Sequence, residues 1–127
     1  QPAYPDQYCY AGDYRDGIAV VQQKNGLHTH VNKEGDQLHK QWFLDLDVFH
    51  KGYARARDKS GWYHINLRGQ PLYQQRFSNI EPFYNGQARV EGVDNSLLVI
   101  NESGEMVIKL REGSSYYLFT TSIDEST

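Results

Sequence analysis

The residues of this chain best spaced for chemistry are His28 and His30, in the run His28-Thr29-His30. On an extended strand, side chains two positions apart share a face and stand roughly 6.5–7 Å apart. Two imidazoles so placed can share a zinc ion if a third ligand arrives from a neighbouring strand. His64 is the candidate third ligand, and His39, His50, Asp45 and Asp47 are further donors. No Cys-x-x-Cys or His-Glu-x-x-His pattern accompanies them. The same histidines therefore also fit an ordinary polar strand face that holds no cofactor.

Aromatic side chains form a second group of candidates. Tyr53, Trp62, Tyr63, Tyr73, Phe83 and Tyr84 are expected to include exposed rings, and Asn85 and Gln87 lie alongside. Contiguous exposed rings are a recognition feature able to hold a sugar or a peptide. Trp62, Tyr53 and Tyr84, together with Arg55 and Arg89, are the binding candidates, whereas Phe49 and Phe83 are expected in the core. Asp45, Asp47 and Glu81 offer negative charge to a cation or a basic partner, although alternating Leu and Asp over 44–47 equally describes a half-buried strand. Covalent catalysis finds little support. Cys9 and the serines lack a Gly-x-Ser-x-Gly elbow or a Cys/His signature, and there is no glycine-rich phosphate loop. The expectation is a chain that is not an enzyme.

The elements that position these residues recur along the chain. Tyr14-Arg15-Asp16-Gly17-Ile18-Ala19, Phe49-His50-Lys51-Gly52-Tyr53-Ala54 and Phe83-Tyr84-Asn85-Gly86-Gln87-Ala88 each have an aromatic residue, two residues, Gly, one residue and Ala. A second landmark repeats at the same period: Val31-Asn32-Lys33-Glu34-Gly35, Ile65-Asn66-Leu67-Arg68-Gly69 and Ile100-Asn101-Glu102-Ser103-Gly104. Tandem units of this length mark a repeat architecture. After each first landmark, small residues alternate at period two (Ala54 and Ala56, Ala88 and Val90), which predicts a strand with Arg55, Arg57, Arg89 and Glu91 facing out. Gly26, Gly61 and Asn95 mark a turn, and a second strand carries Val31, Ile65 and Ile100. Asn-x-x-Gly then supplies a tight turn, and a short third strand is expected at Leu38, Leu72 or Val107. His30 and His64 occupy the same repeat position, which is Val99 in the third unit.

This pattern resembles the bacterial WG (KWG) repeat, with Tyr63 where the family has its second signature residue and the tryptophan present only at Trp62. The resemblance covers residues 8 to about 112. It implies a β-repeat domain that serves as a non-catalytic binding or structural module, an accessory part of a larger bacterial protein. The expected fold is all-β, with three units of about 35 residues at 8–42, 43–76 and 77–112 within 1–112. Each unit is a short antiparallel meander. The units are expected to stack as an open array, a closed pseudo-threefold arrangement being the alternative. Glu112 breaks the aromatic position held by Tyr8, Phe43 and Phe77, so 113–127 reads as a capping segment and a tail or linker.

Composition narrows the partners. Thirteen basic against sixteen acidic residues give a net charge of −3, which does not favour nucleic acid. No apolar run is long enough to span a membrane. A single cysteine suits a reducing compartment, and a cytoplasmic location is expected. The chain opens on Gln1 rather than Met, which suggests a piece of something longer. The expected partner is a protein or peptide, or another domain of the same chain. A small ligand, carbohydrate or a divalent metal, is the alternative.

Overall fold

A computed structural model describes residues 8–12 and 14–113. The described residues contain ten strands and no helix, arranged as successive antiparallel sheets. The first sheet holds β1 (Tyr8–Ala11), β2 (Ile18–Gln23) and β3 (His28–Asn32), and the second β4 (Asp45–Leu46), β5 (Ala54–Asp58) and β6 (Gly61–Ile65). The third holds β7 (Asn79–Ile80), β8 (Gln87–Glu91), β9 (Leu97–Asn101) and β10 (Met106–Arg111), with β10 at its edge. The expected all-β repeat array is present. The segment after Gly113, expected as a cap and tail, lies outside the described residues.

Two turns explain both sequence landmarks. In the first, the residue before the glycine and the glycine itself both take positive φ: 53° and 80° at Asp16-Gly17, 53° and 89° at Lys51-Gly52, 51° and 76° at Asn85-Gly86. Reciprocal backbone bonds flank each pair, as between His50 and Tyr53. This is the two-residue hairpin geometry whose twist matches that of the strands it joins. In the second turn the asparagine side chain does the work. Asn66 Oδ1 accepts from the N–H groups of Arg68 and Gln70, and Asn32 and Asn101 do the same in their units.

Between the turns, Ala54 pairs with Ile65 and Ala56 with Tyr63, and all four are buried. Arg55 and Arg57, on the opposite face of β5, are half-buried. The alternation therefore places small residues where sheets must approach each other. Glycine completes the fit. At Gly69 a Cβ would lie 2.8 Å from both the Gln41 and the His39 side chain, and at Gly104 it would collide with Tyr73. The Asn-x-x-Gly turns of the second and third units thus pack against an aromatic ring of the unit before.

The expected third strand differs from the structure. Val107 lies in β10, but Leu38 and Leu72 lie in no strand. In the first two units that stretch is reduced to isolated bridges, Val31 with Gln37 and Ile65 with Pro71, and the chain pairs again only at Phe43 with His28 and Phe77 with Trp62. Pro71 has no N–H to extend a ladder, and bends at 38–40 and 72–74 carry His39 and Tyr73, both of which are buried. Phe43 and Phe77 therefore bond back to the sheet before them.

Candidate functional site

The seams between sheets hold the chain's distinctive polar chemistry. On β6, the alternation that buries Tyr63 and Ile65 also leaves His64 only 1% exposed, and on β3 His30 is fully buried. A buried imidazole must satisfy both ring nitrogens. His64 Nε2 lies 2.8 Å from the Glu81 carbonyl oxygen, so it donates, and Nδ1 accepts from the Tyr73 hydroxyl at 2.6 Å. In the preceding seam His30 Nε2 donates to the Asp47 carbonyl at 2.8 Å and Nδ1 accepts from His39 Nε2 at 2.9 Å. His39 Nδ1 in turn accepts from the Gln41 N–H at 3.3 Å. All three rings are neutral in this arrangement. Each buried strand histidine also lies on a ring of the next unit, His30 on Phe49 at 4.2 Å and His64 on Phe83 at 4.1 Å between centroids.

Burial, the largest cause, pushes the His30 and His64 pKa values from 6.5 down to about 4. Burial likewise lowers His39 and raises the Tyr73 phenol. These groups stay uncharged at neutral pH.

The three metal candidates are placed differently from a shared zinc site. His30 and His64 sit in successive seams with both nitrogens engaged, and His28 lines a cleft in the first of those seams. Among the described residues no group of three His, Cys, Asp or Glu side chains is placed to hold a metal ion. His30 and His64 are also not on a polar surface, as an ordinary strand face would have them.

Of the aromatic candidates, Tyr63, Tyr73 and Phe83 are buried, so the expectation of exposed rings fails at Tyr63 and Tyr73, while Phe49 and Phe83 are core as expected. Tyr84 is 59% exposed, with its ring edge-on to His50 at 5.3 Å. Tyr53 is half-buried and donates to the Glu102 carboxylate at 3.2 Å, across to the next unit. Trp62 is half-buried under the Arg55 guanidinium, 6.0 Å from the ring centroid. Arg55 bonds the Asp47 carboxylate through Nε at 2.9 Å and Nη2 at 2.6 Å, and the Ile80 carbonyl through Nη1 at 3.2 Å. Arg57 pairs with Asp45 at 2.6 Å and Arg89 with Glu81 at 3.2 Å. The acidic residues of the leading strands are thus matched by arginines of their own sheets.

A cleft opens in the seam between the first and second sheets. Its volume is about 420 Å³, and Tyr14, Val20, His28, Leu46 and Val48 are among its walls. Ala19, Val21 and Val31 form a small cluster on the opposite face of β2 and β3 from Val20 and His30, and the buried residues of the second and third sheets form another, with Ile18 and Leu38 packed against it. His28 Nδ1 is buried without a hydrogen-bond partner among the described residues. Elsewhere β10 leaves Met106, Val107, Ile108 and Leu110 between 44% and 56% exposed at the edge of the third sheet.

The sequence matches no family model, and no curated protein matches it. Solved structures do resemble it. BamB from Moraxella catarrhalis is 11% identical, with a TM-score of 0.53 over 80% of this chain and 34% of that one. The computationally designed Ika8 protein is 13% identical, with a TM-score of 0.52 over 76% of this chain and 34% of that one. The WD40 β-propeller domain of Doa1 is 8% identical, with a TM-score of 0.47 over 84% of this chain and 40% of that one. The likeness to the first two is one of fold, tandem antiparallel sheets. The chain spans about a third of the length of either.

Proposed function

We propose that this chain is a non-catalytic interaction module that holds a protein or peptide partner, as an accessory domain of a larger bacterial protein in the cytoplasm. The observation that carries the reading is β10. Its outer edge is unpaired among the described strands, and its apolar side chains are exposed on both faces. An open edge with apolar side chains is the surface to which a further strand adds, backbone bonds giving affinity and side-chain pockets giving selectivity. The buried histidines fit the same reading, because Nε2 of His30 and of His64 is committed to a backbone carbonyl across a seam and Nδ1 to a ring of the same unit.

The test compares the wild-type chain with Ile108→Lys/Leu110→Lys as bait in a lysate of the source organism, with and without EDTA. A protein retained by the wild type in EDTA and lost by the variant supports β10 as the docking edge. Equal retention by both baits, or nothing retained by either, defeats it. Loss in EDTA alone favours the metal alternative.

A further inference from the structure

Each of the first two sheets presents one face to the leading segment of the following unit, and the contacts fall at fixed distances along the chain. The carbonyl 17 residues beyond the buried histidine accepts from its Nε2, Asp47 for His30 and Glu81 for His64. The phenylalanine two residues further on, Phe49 or Phe83, lies against its ring. Val99 holds the place of His64 on β9, and the same count from Val99 arrives at Tyr116 and Leu118. Both members of the pair change together. A ring against a ring becomes an isopropyl group against an isobutyl group, and no Nε2–H remains to seek a carbonyl.

The face that carries Val99 is formed and open. Arg89 and Ile108 pair opposite Val99, and Glu91 opposite Leu97, so these side chains share it. Among the described residues no further sheet follows the third. Leu97 and Val99 are half-buried and Ile108 is 49% exposed. A groove of about 260 Å³ crosses the same face, with Ile80, Glu81, Arg89 and Leu97 among its walls. The ion pairs record the missing cover. Arg55 and Asp47 are each 33% exposed, and Arg55 Nη1 also bonds the Ile80 carbonyl of the next unit. Arg89 and Glu81, in the same places one repeat later, are each 52% exposed, and among the described residues the Arg89 guanidinium bonds only Glu81. The end of a repeat array must cover such an apolar face.

We propose that residues 115–119 of this chain, Ser115-Tyr116-Tyr117-Leu118-Phe119, cover this face as a fourth leading segment, with Leu118 on Val99 and Ile108 and the Ser115 carbonyl accepting from Arg89. The reach is sufficient. Leu118 lies five residues beyond Gly113, as Phe83 lies five beyond Ser78, a span of roughly 17 Å when extended. The site is a sheet face rather than the outer edge of β10, so it stands whether or not that edge takes a partner.

The test uses the full chain and NMR. Nuclear Overhauser contacts are expected between the methyl groups of Val99 and Leu118 in the wild type; their absence, or contacts from Val99 to Phe119 instead, overturns the register. Val99→His restores the donor of the other seams. If the segment docks as proposed, the introduced imidazole meets the Tyr116 carbonyl, is held as the neutral Nε2–H form and titrates at about pH 5 or below. Val99→His/Leu118→Ser is expected to return it towards the ordinary value of roughly 6.5. Ordinary titration in Val99→His alone overturns the docking. A depressed value that Leu118→Ser leaves unchanged overturns Leu118 as the contact. Depression that grows with protein concentration overturns the segment as occupant and assigns the face to a second copy of the chain.

Discussion

His64 Nε2 donates to the backbone carbonyl of Glu81, 2.8 Å away, so a side chain of the second sheet is bonded to the leading strand segment of the third. His30 and Asp47 repeat the relationship at 2.8 Å one unit earlier. Because the acceptor is a carbonyl oxygen, Nε2 of each histidine must carry a proton, and since burial keeps the rings neutral, Nδ1 accepts and its partner donates. Sheet-to-sheet order is written into tautomers.

Acidification is therefore expected to loosen the array. His30 and His64 have folded pKa values near 4, below the unfolded value of 6.5. Between these pH values the unfolded chain binds more protons, so stability rises with pH through that window and falls on acidification from 6.5 toward 4. Full acidification costs on the order of 3 kcal/mol per histidine. Urea midpoints measured from pH 7 to pH 4.5 should fall, and His30→Gln/His64→Gln should flatten that slope. An unchanged slope in the double variant would assign the acid sensitivity to His39 and the carboxylates instead.

The third unit suggests how the histidine link can be dispensed with. Val99 and Ile108 stand where His64 and Tyr73 stand in the second unit. His64→Val alone strands the Tyr73 hydroxyl and the Glu81 carbonyl, a loss of about 2–4 kcal/mol. Tyr73→Phe alone leaves His64 Nδ1 unpaired at a cost of about 1–2 kcal/mol. His64→Val/Tyr73→Phe is expected to cost less than the two single losses added. Denaturation of the four proteins in a double-mutant cycle measures the difference, and strict additivity would mean that the 2.6 Å contact carries no coupling.

Which parts of this were legible in the sequence follows from the range of each interaction. The glycine, alanine and asparagine landmarks report local φ values and two-residue alternation, so spacing alone exposes them. Burial of Tyr63 and Tyr73 escapes the sequence because Tyr63 pairs opposite Ala56 and Tyr73 turns in on a bend, neither of which has a local signature. The His64–Glu81 bond joins positions 17 apart and ends on a backbone oxygen, which no side-chain pattern marks. One signal was present: a ring able to hydrogen-bond recurs nine residues after each buried histidine, His39 after His30 and Tyr73 after His64. Alignment of Val20 with Arg55 and of His28 with Trp62 likewise signals that the first seam is filled differently from the second.

Positive φ and close packing can be separated with two glycines. Gly52 (φ 89°) has open space where a Cβ would be, whereas Gly69 (φ 76°) faces His39 and Gln41. Gly52→Ala is expected to cost about 1 kcal/mol of backbone strain. Gly69→Ala adds displacement of the neighbouring unit to that strain, for a total of about 2–4 kcal/mol. Equal losses in thermal unfolding would show that the turn, rather than the seam, sets the need for glycine at 69.

Lys51 offers a route to greater stability. It occupies the first position of a two-residue hairpin turn at φ 53°, where Asn85 stands in the third unit and Asp16 in the first. A β-carbon with a long unbranched chain is poorly accommodated at positive φ, while asparagine gains local backbone bonding there and is enriched in such turns. The Lys51 side chain is exposed, so replacing it removes no buried contact. Lys51→Asn is therefore expected to stabilise the chain by about 0.5–1 kcal/mol, read as a higher melting temperature with an unchanged denaturant slope. Asn85→Lys should move stability by a similar amount in the opposite direction. If the two changes shift stability with the same sign, the turn conformation at 51 and 85 is not the quantity being altered.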